Sequence, residues 1–169
     1  MHGTRLAQQL LFCIINNPYK RADFLRDKKI FAHVGKYVAY QPRKIPLYGN
    51  LISIGDNVII GSSVSFLTHD AFHGVCNRRG IKLNEKVGCI EIGSNCFIGA
   101  NVSVVCDVQI GDDVVIAAGS VVTHDVSPGE IWGGYQLNAS DIRMCTCTAK
   151  LILYTQGVEM GQDIIVLGT

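Results

Sequence analysis

The chain carries five histidines and seven cysteines. His69 is the one whose neighbourhood suggests chemistry. It ends a regular stretch as Phe66-Leu67-Thr68-His69-Asp70, and the regularity then lapses over 20 residues, Ala71 to Ile90. An imidazole at such a junction can project into the groove between a regular scaffold and a long excursion. Its reference pKa of ~6.5 lets it take a proton from a hydroxyl at neutral pH. The plainer reading is a histidine that ends a strand.

The scaffold that must position His69 is a six-residue repeat running from Ile54 to Ser127. One run holds Ile54-Gly55-Asp56-Asn57-Val58-Ile59 and Ile60-Gly61-Ser62-Ser63-Val64-Ser65. A second opens with Ile92-Gly93-Ser94-Asn95-Cys96-Phe97 and Ile98-Gly99-Ala100-Asn101-Val102-Ser103. It continues at the same spacing from Val104, Ile110, Ile116 and Val122. Period six fits neither a helix at 3.6 nor a strand at 2. It fits a solenoid with one hexad per face and eighteen residues per coil. The opening aliphatic of each hexad is expected to point inward. The small residue after it is expected to let the chain turn the corner.

These hexads resemble the hexapeptide-repeat acyltransferases. The resemblance covers roughly residues 20–134 and implies a left-handed parallel β-helix that works as a homotrimer. The fold class expected is mainly β: a three-sided solenoid with short N-terminal helices and one long extruded loop. Phe66 to Asp70, followed by an excursion and resumed hexads, is similar to the active-site segment of sugar acetyltransferases of the maltose and galactoside type. By that resemblance His69 is the general base, with Asp70 as a group that orients or polarises an imidazole. Acetyl-CoA is the implied co-substrate, with no metal. Ala100, Ala118, Thr123 and His124 fall at positions that contact CoA in the family. The implied acceptor is a hydroxyl of a sugar, sugar nucleotide or polysaccharide precursor, with Phe72 and His73 placed to stack on it or hydrogen-bond to it. Loop packing is the plainer reading of those two residues. No cysteine stands beside His69 as a nucleophile, so transfer is expected to be direct.

Two departures from the family pattern stand out. Relatives usually carry Lys where this chain has His124, and Gly-Gly-x-Pro-Ala where it has Gly133-Gly134-Tyr135-Gln136-Leu137. Both imply weaker CoA binding than in typical members. Two other readings stay open. The γ-type carbonic anhydrases use the same solenoid with a three-histidine zinc site, and His69, His73 and His124 could supply nitrogens. A solenoid can also serve assembly without catalysis.

Bulk properties agree with one globular domain: 169 residues, 48% hydrophobic. A net charge of +1 and a pI near 7.6 give no reason to invoke nucleic acid or an anionic membrane. No apolar run approaches the roughly 18 residues that would span a bilayer. The cysteines read as reduced thiols in a cytoplasmic protein, with Cys96 facing inward as a small hydrophobe. The expected organisation is a helical cap over residues 1–33, with helices at 4–16 and 19–29. The solenoid follows over 34–134 with its loop at 71–90, and then a tail at 135–169.

Overall fold

The computed structural model describes residues 2–133. The tail expected at 135–169, with Cys145, Cys147 and Arg143, lies outside the described residues.

Helix α1 spans His2–Ile14 and α2 spans Pro18–Asp27. The Asn17 side chain accepts from the backbone N–H groups of Tyr19 and Lys20. Pro18 sits in the first turn, where its missing N–H costs nothing. Asn17 and Pro18 therefore start the second helix directly after the first ends. Phe12 of α1 and Ala22 and Leu25 of α2 are buried, whereas Leu6, Leu10 and Ile14 remain largely exposed.

The solenoid follows as stacked coils. β1 (His33–Val34) and β2 (Ala39–Tyr40) form the first. β3 (Ile52–Ile54), β4 (Ile59–Ile60) and β5 (Ser65–Leu67) form the second, then α3 (Phe72–Arg78) interrupts. The third is β6 (Ile90–Ile92), β7 (Phe97–Ile98) and β8 (Ser103–Val105). The fourth is β9 (Val108–Ile110), β10 (Val115–Ile116) and β11 (Val121–Val122), with β12 (Ile131–Trp132) after it. Equivalent strands pair in parallel into three faces, ordered β1-β3-β6-β9, β2-β4-β7-β10-β12 and β5-β8-β11.

The register follows the hexads. Ile54 pairs with Ile92 and Ile92 with Ile110; Phe66 pairs with Val104 and Val104 with Val122. Ser94 and Asp112, one coil apart, differ by 18 positions, whereas Asn57 and Asn95 differ by 38 because the excursion intervenes. Each of these opening residues is 6% exposed or less, and so are the fifth-position residues Val58, Val64, Val102 and Val114. Cys96 shares that fifth position and is 3% exposed; burial pushes its thiol pKa up. Two inward side chains per hexad make the core continuous along the axis.

The corners bear out the expected need for a small second residue, where a larger side chain would clash, and divide the turn between two positions. The glycines after the opening aliphatics do not supply the turn conformation. It falls on the fourth hexad residue: Asn57, Ser63, Asn95, Asn101, Asp107 and Asp113 have φ between 56° and 62°, and Gly119 has φ 76°. Asn and Asp tolerate this left-handed region better than most residues. The second-position glycine is needed for close approach instead. A Cβ on Gly61 would lie 2.6 Å from the Ala100 nitrogen one coil away.

The first coil leaves backbone carbonyls at an edge, which is open to pairing with other chains unless covered. α2 covers it with arginines. Arg26 Nε donates to the Val34 carbonyl at 2.8 Å and Arg21 Nε to the Tyr40 carbonyl at 2.8 Å.

Candidate active site

His69 lies at the neck of the excursion. It forms an antiparallel bridge with Val87, flanked by Asp70 N–H donating to the Lys86 carbonyl and Gly88 N–H donating to the Thr68 carbonyl. Residues 68–70 and 86–88 thus close a short ladder, and the rest of the excursion projects beyond it. Its first part is not loop, as the sequence suggested, but the helix α3, whose Cys76 is buried. The neck is tied to the next coil by an ion pair, Lys86 Nζ to Asp107 Oδ2 at 3.2 Å.

The imidazole of His69 is half-buried, and its Nδ1 is buried with no hydrogen-bond partner. An unpartnered buried polar atom is uncommon in a folded protein. The ring meets Tyr48, with centroids 5.4 Å apart and planes at 83°. The Tyr48 hydroxyl donates to Glu85 Oε2 at 3.3 Å, which links the segment before β3 to the excursion. The Glu85 charge holds the Tyr48 pKa above its ordinary value; burial and the hydrogen bond add to this, and Arg5 opposes it.

Asp70 does not turn to His69. Its Oδ1 accepts from the Phe72 N–H at 3.0 Å, so it fixes the start of α3. Adjacent side chains on extended backbone point to opposite sides, which separates the two groups. Phe72 is 65% exposed. His73 is half-buried, and its Nδ1, like Thr68 Oγ1, is buried without a partner.

A cleft of about 570 Å³ lies beside this segment, between residues 40–46 and 62–67. Its lining ends at Leu67 on one wall and Pro46 on the other, each two positions in the chain before a member of the Tyr48–His69 pair. α1 holds the outer wall. The Gln9 amide donates to the Arg43 carbonyl at 2.9 Å and accepts from the Ile45 N–H at 2.9 Å; Arg5 donates to the Pro46 carbonyl at 3.2 Å.

The positions expected to contact CoA fall on two different edges of the three-sided solenoid. Ala100 and Ala118 stack one coil apart at the corner leading into the β5-β8-β11 face, with Gly119 N–H donating to the Ala100 carbonyl at 2.8 Å. Thr123 and His124 lie at the corner leaving that face, on the edge where His69 stands two coils away. At ~4.8 Å per coil that is roughly 10 Å. Thr123 Oγ1 and His124 Nδ1 are 2.8 Å apart. The His124 ring stands edge-on to Trp132 at 5.4 Å, and Trp132 Nε1 donates to Glu130 Oε2 at 2.7 Å. Among the described residues no group of three or more His, Cys, Asp or Glu side chains could hold a metal ion. Nor is any helix there long and apolar enough to cross a membrane.

Sequence reasoning missed Tyr48 and the Tyr48–Glu85 link. Tyr48 sits outside the repeat, and Glu85 lies within the excursion. No spacing signal connects two such segments.

The family profile described as bacterial transferase hexapeptide (six repeats) matches residues 89–124. The chain is 33% identical over 114 residues to the Bacillus subtilis (strain 168) protein YvoF, a match covering 66% of this chain and 58% of that relative's length. A hexapeptide-repeat acetyltransferase from Vibrio cholerae superposes with a TM-score of 0.62 at 26% identity, over 80% of this chain and 86% of the other. That protein has also been solved with acetyl-CoA. A maltose O-acetyltransferase from Clostridium difficile 630 superposes with a TM-score of 0.57 at 27% identity, over 78% of this chain and 80% of the other. The chain's stacked hexads and these similarities give it the fold of the hexapeptide-repeat acetyltransferases, the left-handed parallel β-helix.

Proposed function

We propose that the protein is an acetyl-CoA-dependent O-acetyltransferase acting on a hydroxyl of a sugar or polysaccharide precursor, with His69 as general base. The observation that carries this reading is the half-buried His69 imidazole at the neck of the excursion, edge-on to Tyr48 and on the same solenoid edge as Thr123 and His124. The imidazole takes the acceptor's hydroxyl proton as its oxygen attacks the thioester carbonyl. The C–O bond forms, the C–S bond breaks, and the imidazolium returns its proton to the departing thiolate. CoA leaves as the free thiol and the acceptor as its acetyl ester, with no acyl-enzyme required.

A homotrimer gives the two edges of candidate CoA contacts a common purpose. Around a threefold axis, the edge with Ala100 and Ala118 of one copy faces the edge with His69, Thr123 and His124 of another. A pantetheine arm lying between copies would touch both. Phe72 and His73 would border the acceptor from the excursion, and Asp70 would hold the start of α3 in place. The reading implies a cytoplasmic enzyme, since acetyl-CoA is an intracellular metabolite.

Release of free thiol from acetyl-CoA, measured across a panel of sugars and sugar nucleotides, tests the proposal. Acceptor-dependent release is the expected result. Absence of both release and CoA binding would favour a non-catalytic solenoid.

A further inference from the structure

The wall over residues 40–46 gathers four cations that form no ion pair among the described residues. Arg21 is 4% exposed, and its guanidinium donates only to carbonyl oxygens, those of Ile15, Asn16, Tyr40 and Gln41. Arg43 donates to the Cys13 carbonyl at 2.7 Å and to Asn16 Oδ1 at 3.4 Å, using two of its five N–H donors. Arg5 donates to the Pro46 carbonyl. The Lys44 ammonium has no partner among the described residues. The ion pairs found there, Arg26–Asp23 and Lys86–Asp107, involve none of these four cations.

Burial and the neighbouring Arg43 charge both push the Arg21 pKa down, as expected where cations crowd without a counter-ion. The cleft in front of this wall has no Asp or Glu in its lining, and Ser62, Ser63 and Ser65 supply hydroxyls on the facing side. The carboxylates nearest His69 are not among the residues that line the cleft. Glu85 meets Tyr48 beside His69, and Asp70 follows His69. The charged side chains that line the cleft, Arg43 and Lys44, are therefore both positive. A cleft lined by one sign of charge raises the local concentration of the opposite sign.

We propose that this cleft binds the anionic portion of a hydroxylated acceptor, a carboxylate or a phosphate, through Lys44 and Arg43. The anion is held away from Glu85 and Asp70, which turns the hydroxyl to be acetylated toward His69. The inference rests on the reading of His69 as the base, and names the class of acceptor for that site.

The test compares glucose, glucuronate and glucose 1-phosphate as acceptors for the wild type, Lys44→Met and Lys44→Glu. The expected result is a kcat/KM for one of the anions above that for glucose. The anion-to-neutral ratio then falls about tenfold in Lys44→Glu, the order of one charge-assisted contact. The anion whose ratio falls more identifies the group recognised. Equal kcat/KM for all three sugars, or a ratio unchanged in both variants, would overturn the inference. If no sugar is acetylated, titration calorimetry with the same two anions still decides it. Binding lost in Lys44→Glu upholds the anion site while the transferase reading fails; no binding overturns the site as well.

Discussion

The ring of Tyr48 stands edge-on to the imidazole of His69, centroids 5.4 Å apart, while its hydroxyl reaches Glu85 in the excursion. One side chain therefore orients the candidate base and ties down the segment beside it. Tyr48→Ala should lower kcat about tenfold to a hundredfold, the scale of a misplaced reacting group. Tyr48→Phe keeps the ring contact and should retain most of kcat while raising the acceptor KM. Steady-state kinetics of the pair separates the two roles; equal losses in both variants would mean that the hydroxyl link alone matters.

The corner geometry makes opposite predictions for two adjacent kinds of small residue. Gly99→Ala should destabilise by about 1–3 kcal/mol, the range for overpacking, because its new Cβ would lie 2.5 Å from the Ala118 nitrogen. Asn101 has φ 59°, so Asn101→Ala should cost about 1 kcal/mol and Asn101→Gly little or nothing. Urea unfolding midpoints check all three.

That contrast also marks what the sequence could reveal. Inward aliphatics such as Ile54, Ile92 and Ile110 were legible because one physical demand, burial on the axis, recurs at fixed spacing. The left-handed corner was not, because Asn, Ser, Asp and Gly all serve at that position and no single letter repeats. α3 was hidden by its shortness, by Gly74 within it and by the lack of a side-chain cap at Ala71. His69 stood out at the break in the repeat. Its partner Tyr48 did not, since contact between two irregular segments leaves no trace in local spacing.

Tyr40 should make the fold sensitive to alkali. It is fully buried, and burial raises its pKa far above the ordinary value, with the Arg21 charge opposing. The unfolded chain loses this proton near pH ~10 while the folded chain keeps it. Its contribution is whole below that pH and is lost as pH rises toward the folded value, by about 1.4 kcal/mol per pH unit. Tyr40→Phe should flatten the fall in stability above pH ~10, read from denaturant midpoints. An unchanged slope would mean that other groups govern it.

His124 stands where relatives usually carry Lys, edge-on to the chain's single tryptophan, Trp132. His124→Lys should tighten CoA binding about fivefold, the worth of one exposed charge contact. Trp132 fluorescence gives the titration in both proteins. No change in affinity would place the CoA phosphates elsewhere.

The central claim is that His69 is the base, and His69→Ala tests it most directly. With an acceptor that wild type acetylates, kcat should fall by about 10²–10⁴. CoA affinity by Trp132 fluorescence should stay unchanged, showing an intact fold and cofactor groove. A variant that keeps kcat within a few-fold of wild type would contradict the account and assign proton removal to another group.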